Sequence, residues 1–383
     1  MASQDLLLRV AKLAFEEGMS YKEIAEIFVR DGILETETTA PRKVRELIDE
    51  AGQWLLQEQA RLAATETTRT LEHKLALDLC GKFGLQDARV VPGGDIHAPF
   101  EYVALLKKYA RAAADYFDNI ASDAEERKEE LYVAVSGGQP ILDMVSCLTD
   151  RKRPNVHFYA AALIGRGSMT WAPHVGSETN ATVAWSRSGR LPKHLYYGTV
   201  PPYELSRDDL SSITDKRERH AFARKAIIKQ MHELASSGYV QEILGDINSS
   251  VNLAFAGLGI PHASGVDADY GIAHIERLTM TGMLKPLGID PELLLAEGAV
   301  GDISYCLFDA QGNGKASWKF FITAGENTEH SGVDFYRNLV AQGRKVIVIG
   351  GARKEAAVLP AIKAKLFNVL ITDAFTANNL LKT

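Results

Sequence analysis

The sequence predicts an α/β protein: a mostly parallel sheet with helices on both faces, behind an all-helical N-terminal domain. Two observations carry the prediction. Apolar runs at 131–135, 157–164, 195–200, 252–257, 346–349 and 368–372 alternate with helical patterns, and near-continuous apolar runs are how strands buried on both faces read. Residues 1–60, by contrast, hold only helical spacing.

The N-terminal elements follow from their caps and stops. Ser3 can cap a first helix whose inner positions are Leu6, Leu7, Val10, Leu13 and Ala14, with Gly18 as its stop. Ser20-Tyr-Lys-Glu23 is a capping-box pattern, in which hydroxyl and carboxylate satisfy each other's backbone amides. The helix it opens ends at Gly32. After the polar stretch 33–40, Pro41 opens a third helix with Val44, Leu47 and Ile48 inward. Three short helices with glycine turns suggest a helix-turn-helix, the alternative being a helical cap or dimerisation arm. We expect a helix-turn-helix DNA-binding domain over 1–60, a helical linker over 61–83 and an effector domain over 84–383.

Within the third segment, 88–94 reads as a short strand and 101–121 as an amphipathic helix. Residues 262–296 hold no clear strand and read as a helical excursion above the sheet.

Bulk composition narrows the function classes. The formal net charge of -6 argues against a uniformly basic nucleic-acid coat, though it leaves room for a small DNA-reading surface. The three cysteines, Cys80, Cys147 and Cys306, are too widely spaced for a disulfide framework or a zinc site. The N-terminus lacks the pattern of a signal peptide, and no run of about 18 apolar residues suggests a membrane span. The expected address is the cytoplasm. His97, His157, His174, His194, His262 and His274 are dispersed, with no HExxH pattern and no Ser/His/Asp order. No metal, cofactor or catalytic set is expected. Asp267, Asp269, His274 and Glu276 could form an acid/base or metal cluster, but read better as a polar loop.

Five strand ends carry the chemistry. Ser136-Gly137-Gly138-Gln139 follows 131–135; its glycines let backbone amides face an anion at a helix start. It is neither a Walker loop nor GxGxxG, and a tight βα turn without a ligand would look the same. Gly165-Arg166-Gly167 follows 157–164, and Arg166 could pair with phosphate or stand on a surface turn. Gly257-Leu258-Gly259 follows a third run. Asp302 stands at the edge of an apolar segment, a sugar-hydroxyl acceptor or a turn aspartate; the nearby DAQGNG reads as a plain hairpin turn. Gly350-Gly351 leads to Arg353 and Lys354 at a helix start, where a cation opposes the helix dipole unless an anion joins it. The next strand, 369–372, ends at Asp373. Ligands of open parallel sheets sit beyond the strands' carboxyl ends, so one cleft for a phosphorylated polyol is expected.

In combination these pieces resemble the SorC/DeoR-type sugar-binding transcriptional regulators. The carrying stretches are LLLRVAKLAFEEGMSYKEIAE, VAVSGGQPI, ALIGRG with ETNAT, LAFAGLG, GAVGDISYCLFDAQG and VIVIGGARKEAAVLPAIKAKLFNVLITDAFTANNLL. The resemblance covers most of 5–49 and 80–383. It implies a Rossmann-like effector domain similar to sugar-phosphate isomerases and deaminases, used for sensing. It also implies a phosphorylated sugar or polyol effector, operator DNA, and a homo-oligomer, dimer or tetramer. By position it places phosphate contacts on Ser136, Gly137, Gly138, Gly165 and Lys354, sugar hydroxyls on Asp302, and Asn180 on the floor. The cleft reading adds Gln139, Arg166, Gly257 and Asp373.

DNA contacts are expected from Lys22, Arg42, Lys43 and Arg45. Residues 1–60 hold seven Lys/Arg against twelve Asp/Glu, and DNA affinity rests on cations that release counterions. The reader therefore needs Arg42, Lys43 and Arg45 on one exposed face. Two alternatives stand beside the regulator. One is an isomerase or deaminase-like enzyme drawing acid/base groups from Asp302, Asp373, Asp269 and His274. The other is a sensor whose N-terminal helices bind protein.

Overall fold

The computed structural model describes residues 6, 9–10, 12–16, 19–34, 40–96, 99–163, 176–189, 210, 212–260, 288–325 and 332–383. The chain divides into two units, Met1–Leu71 and Glu72–Thr383.

The first unit is helical among its described residues. A π-helical turn spans Lys12–Glu16, α1 spans Tyr21–Arg30 and α2 runs from Ala40 to Phe83. The capping box forms as the sequence predicts. Ser20 Oγ accepts the Glu23 amide at 3.4 Å, and the Glu23 carboxylate accepts the Ser20 amide at 2.7 Å. Helix α1 closes through Gly32 at φ +71°, where the Ile33 amide turns back to the Phe28 carbonyl at 2.8 Å. Val10, Ile24, Phe28, Ala40, Val44 and Ala51 form this unit's core, with Leu47 and Ile48 packed against it. Gly52 does not interrupt α2, a helix of 44 residues.

In the second unit the chain continues as β1 (Asp87–Val91), α3 (Pro99–Arg127), β2 (Leu131–Val135), α4 (Gln139–Ser146), β3 (Val156–Ala160), β4 (Ala162–Leu163) and α5 (Ser177–Ser188). Next come α6 (Lys216–Ala235), α7 (Gly238–Ser250), β5 (Leu253–Gly259), α8 (Pro291–Ala296), β6 (Ala299–Ile303), β7 (Cys306–Asp309) and β8 (Ile322–Thr323). The unit closes with α9 (Val333–Ala341), β9 (Lys345–Ile349), α10 (Glu355–Lys363), β10 (Val369–Asp373) and α11 (Ala374–Lys382).

The sheet runs β1-β10-β9-β5-β2-β3, and every neighbouring pair on this path is parallel. Side chains alternate between its faces with period two. Val133, Val135, Phe255, Ile347, Ile349 and Ile371 pack on one face with α3, α4 and α5. Ala134, Ala256, Val346, Val348 and Leu370 pack on the other, with α6, α7, α9, α10 and α11. Burial on both faces is why these strands read as unbroken apolar runs. All strands of this parallel path point their carboxyl ends to one rim.

Several expectations change on contact with the structure. The β6–β7 hairpin turns at Ser304-Tyr305, between the paired residues Ile303 and Cys306. DAQGNG is not that hairpin: it is a side-chain-held turn after β7, in which Asp309 Oδ1 accepts the Gln311 and Asn313 amides, each at 2.9 Å. The run 157–164 breaks into β3 and β4, and β4 leaves the main sheet to pair antiparallel with β8. The expected strand 195–200 lies outside the described residues, as do 262–287 of the 262–296 excursion; its tail forms α8. Gly165, Arg166, His174, His194, His262, Asp267, Asp269, His274 and Glu276 also lie outside them.

Candidate functional site

The rim of the sheet is built from three glycine turns. After β2, Ser136 is fully buried and ties two strands together: its amide donates to Phe255 O at 2.9 Å, and its Oγ accepts the Gly257 amide at 3.2 Å. Gly138 has φ +100°, a conformation open to glycine at little cost, and heads α4 without a side-chain cap. Asn180, buried on α5, donates from Nδ2 to the Ser136 carbonyl at 2.9 Å and to the Gly138 carbonyl at 3.5 Å. Its Oδ1 has no hydrogen-bond partner among the described residues. Asn180 thus fixes the first glycine turn from below and leaves an acceptor over.

After β5, a Cβ added at Gly257 would meet open space, whereas one at Gly259 would collide with the Asp302 carboxylate. That contact follows from the antiparallel addition of β6 to the end of β5, which pairs Gly259 with Asp302. Asp302 Oδ1 accepts the Tyr305 amide at 3.2 Å, while Oδ2 is buried with no hydrogen-bond partner among the described residues. Burial pushes this carboxyl up to about 6, partly offset by the Tyr305 amide and the nearby Lys354 ammonium.

After β9, Gly350-Gly351 leads into Ala352 and Arg353, which hold φ +56° and +65°. Consecutive left-handed non-glycine residues are strained and must be held by their surroundings. Asp373 at the end of β10 does the holding. Its Oδ2 accepts Ala352 N at 2.8 Å, Tyr109 Oη at 2.5 Å and Thr376 Oγ1 at 2.9 Å; its Oδ1 accepts Thr376 N at 2.7 Å. Lys354 then heads α10, and its Nζ donates to the Leu258 carbonyl at 2.8 Å, across the end of β5.

Helix starts divide into two groups. Those of α1, α6, α7, α8 and α11 are capped by the side chains of Ser20, Asp215, Ser237, Asp290 and Asp373. Those of α4, α5, α9 and α10 carry no side-chain cap, and of these α4 and α10 directly follow strands of the parallel path, β2 and β9. Unspent backbone donors and the positive end of the helix dipole are what an anion needs.

The structure therefore brings together Ser136, Gly137, Gly138, Asn180, Gly257, Asp302 and Lys354 at one rim. Asp373, expected to take sugar hydroxyls, is instead committed to the fold, both oxygens being engaged and the side chain fully buried. Gln139 turns back along its own helix to Asp143 Oδ1 at 2.6 Å. Arg353 points away to Asp95 at 2.7 Å. On the first unit, Lys22, Arg42, Lys43 and Arg45 are all exposed, and Arg42 pairs with Glu46 at 3.2 Å.

Sequence reasoning missed Tyr305. It stands in the β6–β7 turn with φ +69°, after Ser304 at φ +49°. A Cβ at Gly137 would overlap its hydroxyl. The signal was a bulky side chain inside a two-residue turn, which sequence shows only once the flanking strands are recognised.

Residues 228–382 match the family described as "Putative sugar-binding domain". A 91-residue stretch is 35% identical to the deoxyribonucleoside regulator of Bacillus subtilis (strain 168), covering 24% of this chain; it spans about a quarter of that relative, 26%. Among solved structures, a DeoR family transcriptional regulator from Listeria monocytogenes is 17% identical with TM-score 0.54, over 81% of this chain and 99% of that one. The full-length sorbitol operon regulator SorC from Klebsiella pneumoniae is 18% identical with TM-score 0.52, over 99% of this chain and 100% of that one. The chain has an α/β fold similar to that of these structures, and its region 228–382 is similar to a family described as a sugar-binding domain. The relatives are regulators of the SorC/DeoR type, the resemblance that the sequence motifs carry. Among the described residues, no helix is long and apolar enough to cross a membrane.

Proposed function

We propose that the chain is a DNA-binding transcriptional regulator whose operator affinity is set by a phosphorylated sugar or polyol at the sheet rim. One observation carries the effector half: two uncapped helix starts, α4 and α10, flank the open space over Gly257, with Lys354 at one of them. The phosphoryl group sits over Gly257 between those starts. Asp302 Oδ2, buried and without a hydrogen-bond partner among the described residues, takes a sugar hydroxyl. The ligand acts by binding one arrangement of the protein better than another, so operator affinity shifts by that difference. The protein works as a cytoplasmic homo-oligomer.

The exposed cations Lys22, Lys43 and Arg45 support a DNA contact from the N-terminal unit, with Arg42 partly neutralised by Glu46. Sensing rather than turnover is proposed because the relatives are regulators and Asp373, one candidate partner for acid/base work with Asp302, is consumed by hydrogen bonds. The test is a thermal-shift screen of sugar and polyol phosphates beside their unphosphorylated forms. It is followed by binding to a duplex selected from random sequence, with and without the best ligand. A stabilising phosphate that changes duplex affinity is expected. Equal stabilisation by the unphosphorylated sugar, or turnover of the phosphate, sinks the reading.

A further inference from the structure

The β6–β7 turn places an aromatic hydroxyl where a glycine rim would otherwise be bare. Ile303 pairs with Cys306, so Ser304 and Tyr305 are the two central residues, both at positive φ. Two positive φ values identify a type I′ turn, which favours Asn-Gly. A tyrosine there holds a strained backbone conformation. The surroundings hold it in place: the ring lies 5.4 Å, centroid to centroid, from Phe321, and its amide donates to Asp302 Oδ1 at 3.2 Å. The side chain is buried, and its hydroxyl fills the place that a side chain at Gly137 would take. Gly137 therefore leaves room for the Tyr305 phenol as well as baring its own backbone. Asp302, in β6 just before the turn, carries an Oδ2 with no hydrogen-bond partner among the described residues.

We propose that Tyr305 is a specificity-determining residue of the rim: its hydroxyl bonds a hydroxyl of the sugar part of the ligand, and its ring limits the length of sugar that fits beside Asp302. The proposal rests on the sugar-phosphate reading above and deepens it. A neutral phenol beside the buried Asp302 carboxylate suits a neutral polyol end. The phosphoryl group stays on the Gly257 and Lys354 side.

The test measures dissociation constants of inorganic phosphate and of a panel of pentose and hexose monophosphates for the full chain, Tyr305→Phe and Tyr305→Gly. Tyr305→Phe keeps the ring on Phe321 and loses one hydrogen bond. It is expected to bind the best sugar phosphate about 3- to 10-fold more weakly and inorganic phosphate unchanged. Tyr305→Gly relieves the backbone and removes the wall, so the ranking of pentose against hexose phosphates changes. If it does not fold, Tyr305→Phe decides alone. Identical affinities and ranking in all folded proteins overturn the role of Tyr305 and leave the sugar-phosphate reading standing. Failure of every probe to bind any of the proteins overturns both.

Discussion

The carboxylate of Asp373 accepts the Ala352 amide at 2.8 Å, joining the carboxyl ends of β10 and β9. The same carboxylate caps α11 and receives the Tyr109 hydroxyl. It is the anchor of the left-handed 352–353 turn and thereby of Lys354. Asp373→Ala leaves three buried donors short of a partner and removes a helix cap. A loss of about 3–5 kcal/mol is expected in denaturant unfolding. A loss below 1 kcal/mol would show that the turn is held by other contacts.

Gly351 meets the same anchor from the other side. An added Cβ would collide with the Tyr109 hydroxyl and the Asp373 carboxylate. Gly351→Ala is expected to cost about 1–3 kcal/mol as an overpacked site. Thermal unfolding of the variant beside Gly257→Ala, where a Cβ meets open space, gives the contrast: Gly257→Ala should retain near-native stability.

Asp302 makes stability depend on pH. Its carboxyl stands at about 6 in the folded chain, above its ordinary value, because burial disfavours the charge. Between pH about 4 and 6 the folded state holds a proton that the unfolded chain releases. Stability therefore falls as pH rises through that window, by at most about 3 kcal/mol, and the contribution is flat above it. Denaturation of the wild type and Asp302→Asn at pH 4, 5, 6 and 7 checks this. The variant should lose that part of the slope.

Lys354 supplies the ammonium nearest Asp302 and heads α10. Lys354→Gln keeps much of the stem and removes the charge. Sugar-phosphate affinity should fall about 10- to 100-fold, the worth of a charge-assisted hydrogen bond, while any affinity for the unphosphorylated sugar stays as it was. Titration calorimetry with both ligands separates the two.

On the N-terminal unit, Lys43 and Arg45 are exposed on α2. If each neutralises one DNA phosphate, removing both should shrink the slope of log affinity against log salt by about 2. Arg42, paired to Glu46, should contribute less. Fluorescence anisotropy on a selected duplex across a salt series measures both changes, and slopes equal to wild type would remove these cations from the DNA surface.

The parallel strands were legible because burial on both faces leaves an unbroken apolar run, as at Leu131–Val135, which matches the sequence reading residue for residue. The capping box at Ser20 was legible because its two partners are three residues apart. What sequence hid is non-local. The strands β6 and β7 were obscured by polar interruptions at Asp302, Ser304 and Tyr305, side chains placed for the rim rather than for a core. The fate of Asp373 was equally hidden, since its donors come from Tyr109, Ala352 and Thr376, and one of these lies 264 residues away.

A protein of net charge -6 repels a phosphate ester at a distance, yet on the reading proposed above its uncapped helix starts would attract one at contact. Salt reconciles the two. At physiological ionic strength the repulsion fades within about 8 Å, so a small metabolite approaches the rim without long-range guidance and is gripped only on arrival. Capture by such a rim is ruled by how slowly the ligand leaves, and a sensor built this way answers to sustained concentration rather than to brief encounters.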